Sequence, residues 1–289
     1  MRLIVHMGLH KTGSTYLQHV MNDNHDVLRR NGVYYARQSG YPAHHSAAWD
    51  VLRGDAAPIT RMIADARRHR CHTTVLSSED LEGAVFYQQA VAAIEAAAAE
   101  ANVETLEWHM CVREPGDVFG SLYAQLQYHL YADPVAMLCE VLRDGMMMVI
   151  DPVPGGSATP FWGFVFDHYR YISQFARQTR HPVILHDFRD DLPFPGATIL
   201  SHMRVLDDLE SLPGEAARNR RLSPSHVRQG HADQVLGLLS TEGQRERLGG
   251  LVREHIRRGA AAIDTYAEAV GEQFDGSLQA ALNEFGYRA

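Results

Sequence analysis

With 289 residues, 45% hydrophobic and 21% charged, the chain has the composition of an ordinary globular protein with enough apolar side chains for a sizeable core. Its formal net charge of −8 argues against a general binder of nucleic acid or anionic membrane, so any basic site has to be local. No stretch reaches the ~18 apolar residues of a membrane span, and the N-terminus lacks the basic, apolar and small-residue pattern of a secretory leader. A cytoplasmic location is the expectation.

In chain order, Leu3 to Val5 reads as a short buried strand. A loop with Gly8, Lys11, Gly13, Ser14 and Thr15 follows. A helix from about Gly13 to Arg30 then turns Leu17, Val20, Met21 and Val27 inward and ends at Asn31-Gly32. Val33 to Trp49, broken by Gly40 and Pro42, is expected to be a short strand and a long loop of the kind that contacts substrate.

A helix over about Thr60 to Arg70 leads to a second strand, Thr73 to Leu76, which ends in Ser77, Ser78, Glu79 and Asp80. An Ala-rich helix, about Tyr87 to Ala101, precedes a third strand, Thr105 to Val112, which runs into Arg113 and a helix from Pro115 to about Tyr131. A helix over Pro134 to Arg143, a Pro/Gly-rich loop over Asp151 to Pro160 and a long helix over Phe161 to Gln178 come before the strand Val183 to His186. From Ala197 the pattern is mostly helical, including Thr241 to Arg258 and Ala260 to Gln273.

Strands alternating with helices predict an α/β fold, a parallel sheet covered by helices on both faces, in one domain with a helical C-terminal part. Cys71, Cys111 and Cys139 have no CxxC spacing and read as reduced thiols. The 17 histidines include the groupings His6 with His10, His44 with His45 and His181 with His186. None has metal-site spacing, so no metal is expected.

The chemistry concentrates in the first loop. Strand, glycine-bearing loop and helix N-terminus make an anion site of free N–H groups and positive dipole end. Lys11 is the one lysine among 27 basic side chains, the other 26 being arginine. A compact ammonium suits a tight phosphate loop where a forked guanidinium does not. Gly8 and Gly13 have the G-x-x-x-x-G separation of a nucleotide phosphate loop, but Ser14 stands where the NTPase version has its Lys. The Thr105 to Val112 strand ends in Arg113, where an NTPase often has a metal-holding Asp. Ser121 lies about two helical turns beyond.

These two segments, HKTGSTYLQ and VREPGDVFGSLYAQ, resemble the sulfotransferases that use 3′-phosphoadenylyl sulfate (PAPS). The resemblance implies a P-loop NTPase-like fold, PAPS as donor with no metal, and a hydroxyl of a small-molecule, sugar or lipid acceptor. It places Lys11, Thr12, Gly13, Ser14 and Thr15 on the 5′-phosphosulfate and Arg113 and Ser121 on the 3′-phosphate. Asn219, Arg220 and Arg221 are its candidate for a basic segment closing over the nucleotide. Glu79, at a strand end facing the same rim, is the first choice of base, with His10 and His45 as alternatives and helix capping as the competing role for Glu79. His44, His45 and Trp162 are candidates for the acceptor wall. A metal-dependent small-molecule kinase and a non-catalytic nucleotide-binding module remain the alternatives.

Overall fold

The structure is a computed structural model that describes residues 1–38, 40–128, 132–149, 162–214 and 222–288. The apolar runs form strands: Arg2–Gly8 (β1), Val33–Tyr35 (β2), Thr73–Ser78 (β3) and Thr105–Val112 (β4). A short pair, Met146–Val149 (β5) and Trp162–Val165 (β6), precedes Val183–Asp187 (β7). β1, β2, β3, β4 and β7 form one parallel sheet in the order β2-β3-β1-β4-β7, as the alternation of elements predicts. The central strands β1 and β3 are buried almost end to end, as strands covered on both faces must be.

Among the described residues the first helices are Ser14–Asp23 (α1), His25–Arg30 (α2), His45–Leu52 (α3), Ala57–Arg68 (α4), Gln88–Glu100 (α5), Pro115–Leu126 (α6) and Pro134–Asp144 (α7). They are followed by His168–Ala176 (α8), Ala197–His202 (α9), Pro224–Gly237 (α10), Glu242–Ala261 (α11) and Ile263–Phe285 (α12). Leu3, Val5 and Met7 of β1 and Trp108, Met110 and Val112 of β4 pack on one side against α3, α4, α5, α8 and α12. Ile4, Val75 and Cys111 face the other side, against α1 and α9. A third apolar cluster joins α6, α7 and α12 to the β5–β6 pair.

Register sets the position of the site. Met7 pairs with Ser78 and Gly8 with Cys111, so the chain leaves β1, β3 and β4 at one edge of the sheet. From β1 it crosses toward β2, and from β3 and β4 toward β7. Neighbouring connections that diverge in this way open a crevice at the C-terminal edge, where ligands of such sheets bind.

Four expectations are corrected. The first helix breaks at Asn24, whose buried amide donates to the Val20 and Ser211 carbonyls and accepts from the Glu210 and Ser211 N–H groups. The loop expected up to Trp49 yields to α3 from His45. The helix expected from Phe161 begins only at His168, because Trp162–Val165 pairs antiparallel with Met146–Val149. Phe86 fixes this departure: a Cβ on Gly163 would meet its ring at 2.4 Å. The last helix continues to Phe285, and Tyr287 then donates its N–H to the Leu185 carbonyl of β7 at 2.7 Å. Tyr131, the Asp151 to Pro160 loop, Asn219, Arg220 and Arg221 lie outside the described residues.

Candidate functional site

A cavity of about 850 Å³ opens at the C-terminal edge of the sheet. Its floor is the β1–α1 loop. Gly8 lets that loop close, since a Cβ there would lie 2.0 Å from Ser14 Oγ. Lys11 and Gly13 both take left-handed backbone angles, φ 68° and 83°. Alternating backbone handedness of this kind curls successive N–H groups into an anion-binding concavity. Thr12 Oγ1 donates to the Leu9 carbonyl at 2.5 Å and pins the curl from inside. Gly13 is the N-cap of α1 and offers no side chain to its first turn; the Tyr16 N–H donates to the Gly13 carbonyl at 2.9 Å, and the Ser14 and Thr15 N–H groups remain for a ligand. The buried Ser14 Oγ has no hydrogen-bond partner among the described residues.

Lys11, Gly13, Ser14 and Thr15 line the cavity, and so do Arg113, Ser121 and Glu79. The sites expected from two distant segments thus share one space. Burial and the nearby Arg113 charge lower the Lys11 pKa, and Glu79 opposes them. Arg113 is held from three sides. Its Nη1 donates to the Lys11 carbonyl at 3.2 Å, its Nη2 lies 3.0 Å from Asp117, and its guanidinium sits 4.9 Å from the Phe188 ring centre.

Glu79 is free of the capping role. Ser78 Oγ accepts the Asp80 N–H at 3.2 Å and caps the 3-10 turn of Glu79–Val85. The Glu79 carboxylate instead accepts from Gln18 Nε2 at 2.7 Å, a bond from α1 that orients it over the cavity.

Both histidine alternatives are already engaged. His10 Nδ1 and backbone N–H meet Glu82 Oε2 at 2.7 and 2.9 Å. Burial of His10 works against its charge, but the hydrogen bond and charge of Glu82, aided by Asp80 and Glu79, raise its pKa. His45 Nδ1 lies 2.7 Å from Asp80; burial works against charge on this ring too, but the hydrogen bond and charge of Asp80, aided by Glu79, together raise its pKa.

The far wall is aromatic. Tyr41, His45 and Trp49 stack in series, with ring centres 5.0 and 6.0 Å apart, and Tyr41 OH bonds Thr15 Oγ1 at 3.0 Å. Trp162 and Phe164, two apart on β6, complete it.

His44 does not reach the cavity. Its Nε2 donates to the Ala36 carbonyl at 2.9 Å and its Nδ1 accepts the Ser77 N–H at 3.1 Å, so the ring ties β3 to the loop before α3. It is 3% exposed, and burial pushes its pKa down to about 4.

Two contributors escape sequence reasoning. Phe188, Phe194 and Pro195, in the segment after β7, close the cavity over Arg113 and Gly13; their signal is that β7 ends at the same sheet edge. Glu82 is the other. Buried beneath the loop, it accepts from His10 through one oxygen and from the Val165 N–H of β6 through the other at 2.7 Å. Among the described residues, no group of three metal-ligating side chains falls in this cavity.

Set against family models, curated proteins and solved structures, the chain has no match in any of the three.

Proposed function

We propose that the protein is a PAPS-dependent sulfotransferase with a P-loop NTPase-like sheet, transferring the sulfuryl group to a hydroxyl of a small-molecule, carbohydrate or lipid acceptor. The observation that carries this reading is the convergence of Lys11 and the β1–α1 loop with Arg113 and Ser121 on one cavity, with Glu79 on its rim. Two cationic groups at separate places suit a donor with two separate phosphates. The partnerless Ser14 Oγ adds a hydroxyl that a phosphate oxygen satisfies.

In this reading the acceptor oxygen attacks sulfur in line with the bridging oxygen of the phosphosulfate. The new S–O bond forms as the bridging S–O bond breaks, and the acceptor proton passes to the Glu79 carboxylate. Lys11 and the N–H groups of Gly13, Ser14 and Thr15 meet the charge that develops on the leaving phosphate. Glu79 is preferred over His10 and His45 because their carboxylate partners draw both rings toward the protonated form, which accepts no further proton. The aromatic wall of Tyr41, Trp49, Trp162 and Phe164 then shields the acceptor side from water.

The test compares adenosine 3′,5′-bisphosphate with ADP by calorimetry, without and with Mg²⁺, followed by PAPS turnover against a panel of hydroxyl acceptors. Tighter binding of the bisphosphate without Mg²⁺, together with turnover, supports the reading. Preference for Mg²⁺-ATP with γ-phosphate turnover supports the kinase alternative instead, and nucleotide binding with no turnover of either donor supports a binding module.

A further inference from the structure

A second cavity, of about 580 Å³, lies at the opposite edge of the sheet, lined by Arg2, Thr73, His202, Arg204 and Tyr287 among others. Beneath it, Glu107 and His109 stand two apart on the same face of β4, and His202 closes α9 above them. One ligand atom from each of the three lies within 4.8 Å of the other two.

We propose that Glu107 Oε2, His109 Nε2 and His202 Nε2 form a binding site for one divalent transition-metal ion of the Zn²⁺ type, with a coordination position open to the second cavity.

The direction of a buried hydrogen-bond chain supports it. Asp191, 2% exposed, accepts the Thr198 N–H at 2.7 Å, the Thr198 hydroxyl at 2.9 Å and the Gly196 N–H. The single Thr198 hydroxyl proton is thereby spent, so its lone pair receives His186 Nδ1–H at 2.7 Å. His186 Nε2 then accepts from His109 Nδ1–H at 2.9 Å. A neutral His109 held this way presents a bare lone pair at Nε2. That atom is fully buried, has no hydrogen-bond partner among the described residues, and faces Glu107 Oε2 at 3.6 Å. Two electron-rich atoms facing each other at a largely buried place suit a shared cation.

The separations fit a metal. Bonds of ~2.0–2.1 Å in tetrahedral geometry put ligand atoms about 3.3 Å apart. Glu107 Oε2 is 3.6 Å from His109 Nε2 and 3.1 Å from His202 Nε2. The third separation closes by rotation of His202, whose side chain is the most exposed of the three at 22%. Two imidazoles and one carboxylate suit Zn²⁺ and similar borderline ions rather than Ca²⁺ or Mg²⁺. The Asp191–Thr198–His186 chain is the outer support that fixes the tautomer of a metal-binding imidazole. Arg2 is the competitor: its Nε lies 3.5 Å from Glu107 Oε2 and neutralises the same carboxylate.

The test is calorimetric titration of the chelator-treated full chain with Zn²⁺, with Co²⁺ absorption as a second readout of tetrahedral ligation. One equivalent should bind. His202→Ala and Glu107→Gln should abolish the saturable site, and Thr198→Val should weaken it by about tenfold to a hundredfold through the loss of ring orientation. Arg2→Gln should tighten it, which reads the site without removing a ligand in case the other variants fail to fold. Absence of stoichiometric binding by the unmodified chain, or equal affinity in His202→Ala or Arg2→Gln, overturns the proposal.

Discussion

The Arg113 guanidinium donates to the main-chain carbonyl of Lys11 at 3.2 Å, so the end of β4 is tied to the middle of the β1–α1 loop. Arg113→Ala removes a cation and loosens the loop together. Charge-assisted hydrogen bonds contribute about 1.5–3 kcal/mol, so affinity for adenosine 3′,5′-bisphosphate should fall by roughly ten- to a hundredfold. The preference over ADP should shrink with it, measured by calorimetry on both ligands.

Lys11 holds a left-handed backbone angle that a β-carbon disfavours by about 1 kcal/mol. Lys11→Gly should therefore keep the melting temperature or raise it slightly. Removal of the ammonium should still cut turnover by roughly 10²–10³-fold. A variant with unchanged stability and full turnover would remove Lys11 from the leaving-group role.

Two of the three carboxylates of the Glu79–Val85 turn, Glu79 and Glu82, should separate by phenotype. Glu79→Gln keeps the bulk that packs against Gln18 and should reduce turnover by roughly 10²–10⁴-fold with little change in stability. Glu82→Leu strips a buried acceptor from His10 and from the Val165 N–H, and should destabilise the fold by about 3–5 kcal/mol in urea unfolding.

Stability should fall as the solution is acidified below about pH 6.5. His44 and His168 are buried with pKa values pushed down to about 4 by desolvation. The unfolded chain protonates them near 6.5 while the folded chain does not, so their contribution is complete above that pH. Each then loses about 1.4 kcal/mol per pH unit until its folded pKa is reached. Urea midpoints at pH 7, 6 and 5 measure the slope, and His168→Gln should flatten it.

The sheet and the cavity floor are legible in the sequence because they rest on short-range signals. Thr105 to Val112 forms the strand its apolar run predicts, and Gly8, Lys11 and Gly13 announce the loop. The misses have long-range causes. Nothing near Asn24 shows that its amide will be claimed by the backbone at Glu210 and Ser211. The stretch FWGFVF reads as helix until Phe86 and the Met146–Val149 partner strand are known. Glu82 looks like any carboxylate of a first helical turn, and only the fold brings His10 and Val165 to its two oxygens. The histidines likewise assemble across β4, β7 and α9, so the spacing of nearest neighbours in sequence, His44 with His45 or His181 with His186, misleads.

Glu82 reaches β6 through the main-chain N–H of Val165, so this tie is made to the backbone and to no side chain of the strand. Trp162 and Phe164 project from that strand into the cavity, while the tie beneath them is indifferent to which residues occupy those positions. The wall can therefore be re-carved with that tie kept; because the Phe164 ring packs edge-on against His10 of the β1–α1 loop at 4.8 Å, a library varied at Trp162 should change which molecules fit with less disturbance of the cavity floor than one varied at Phe164.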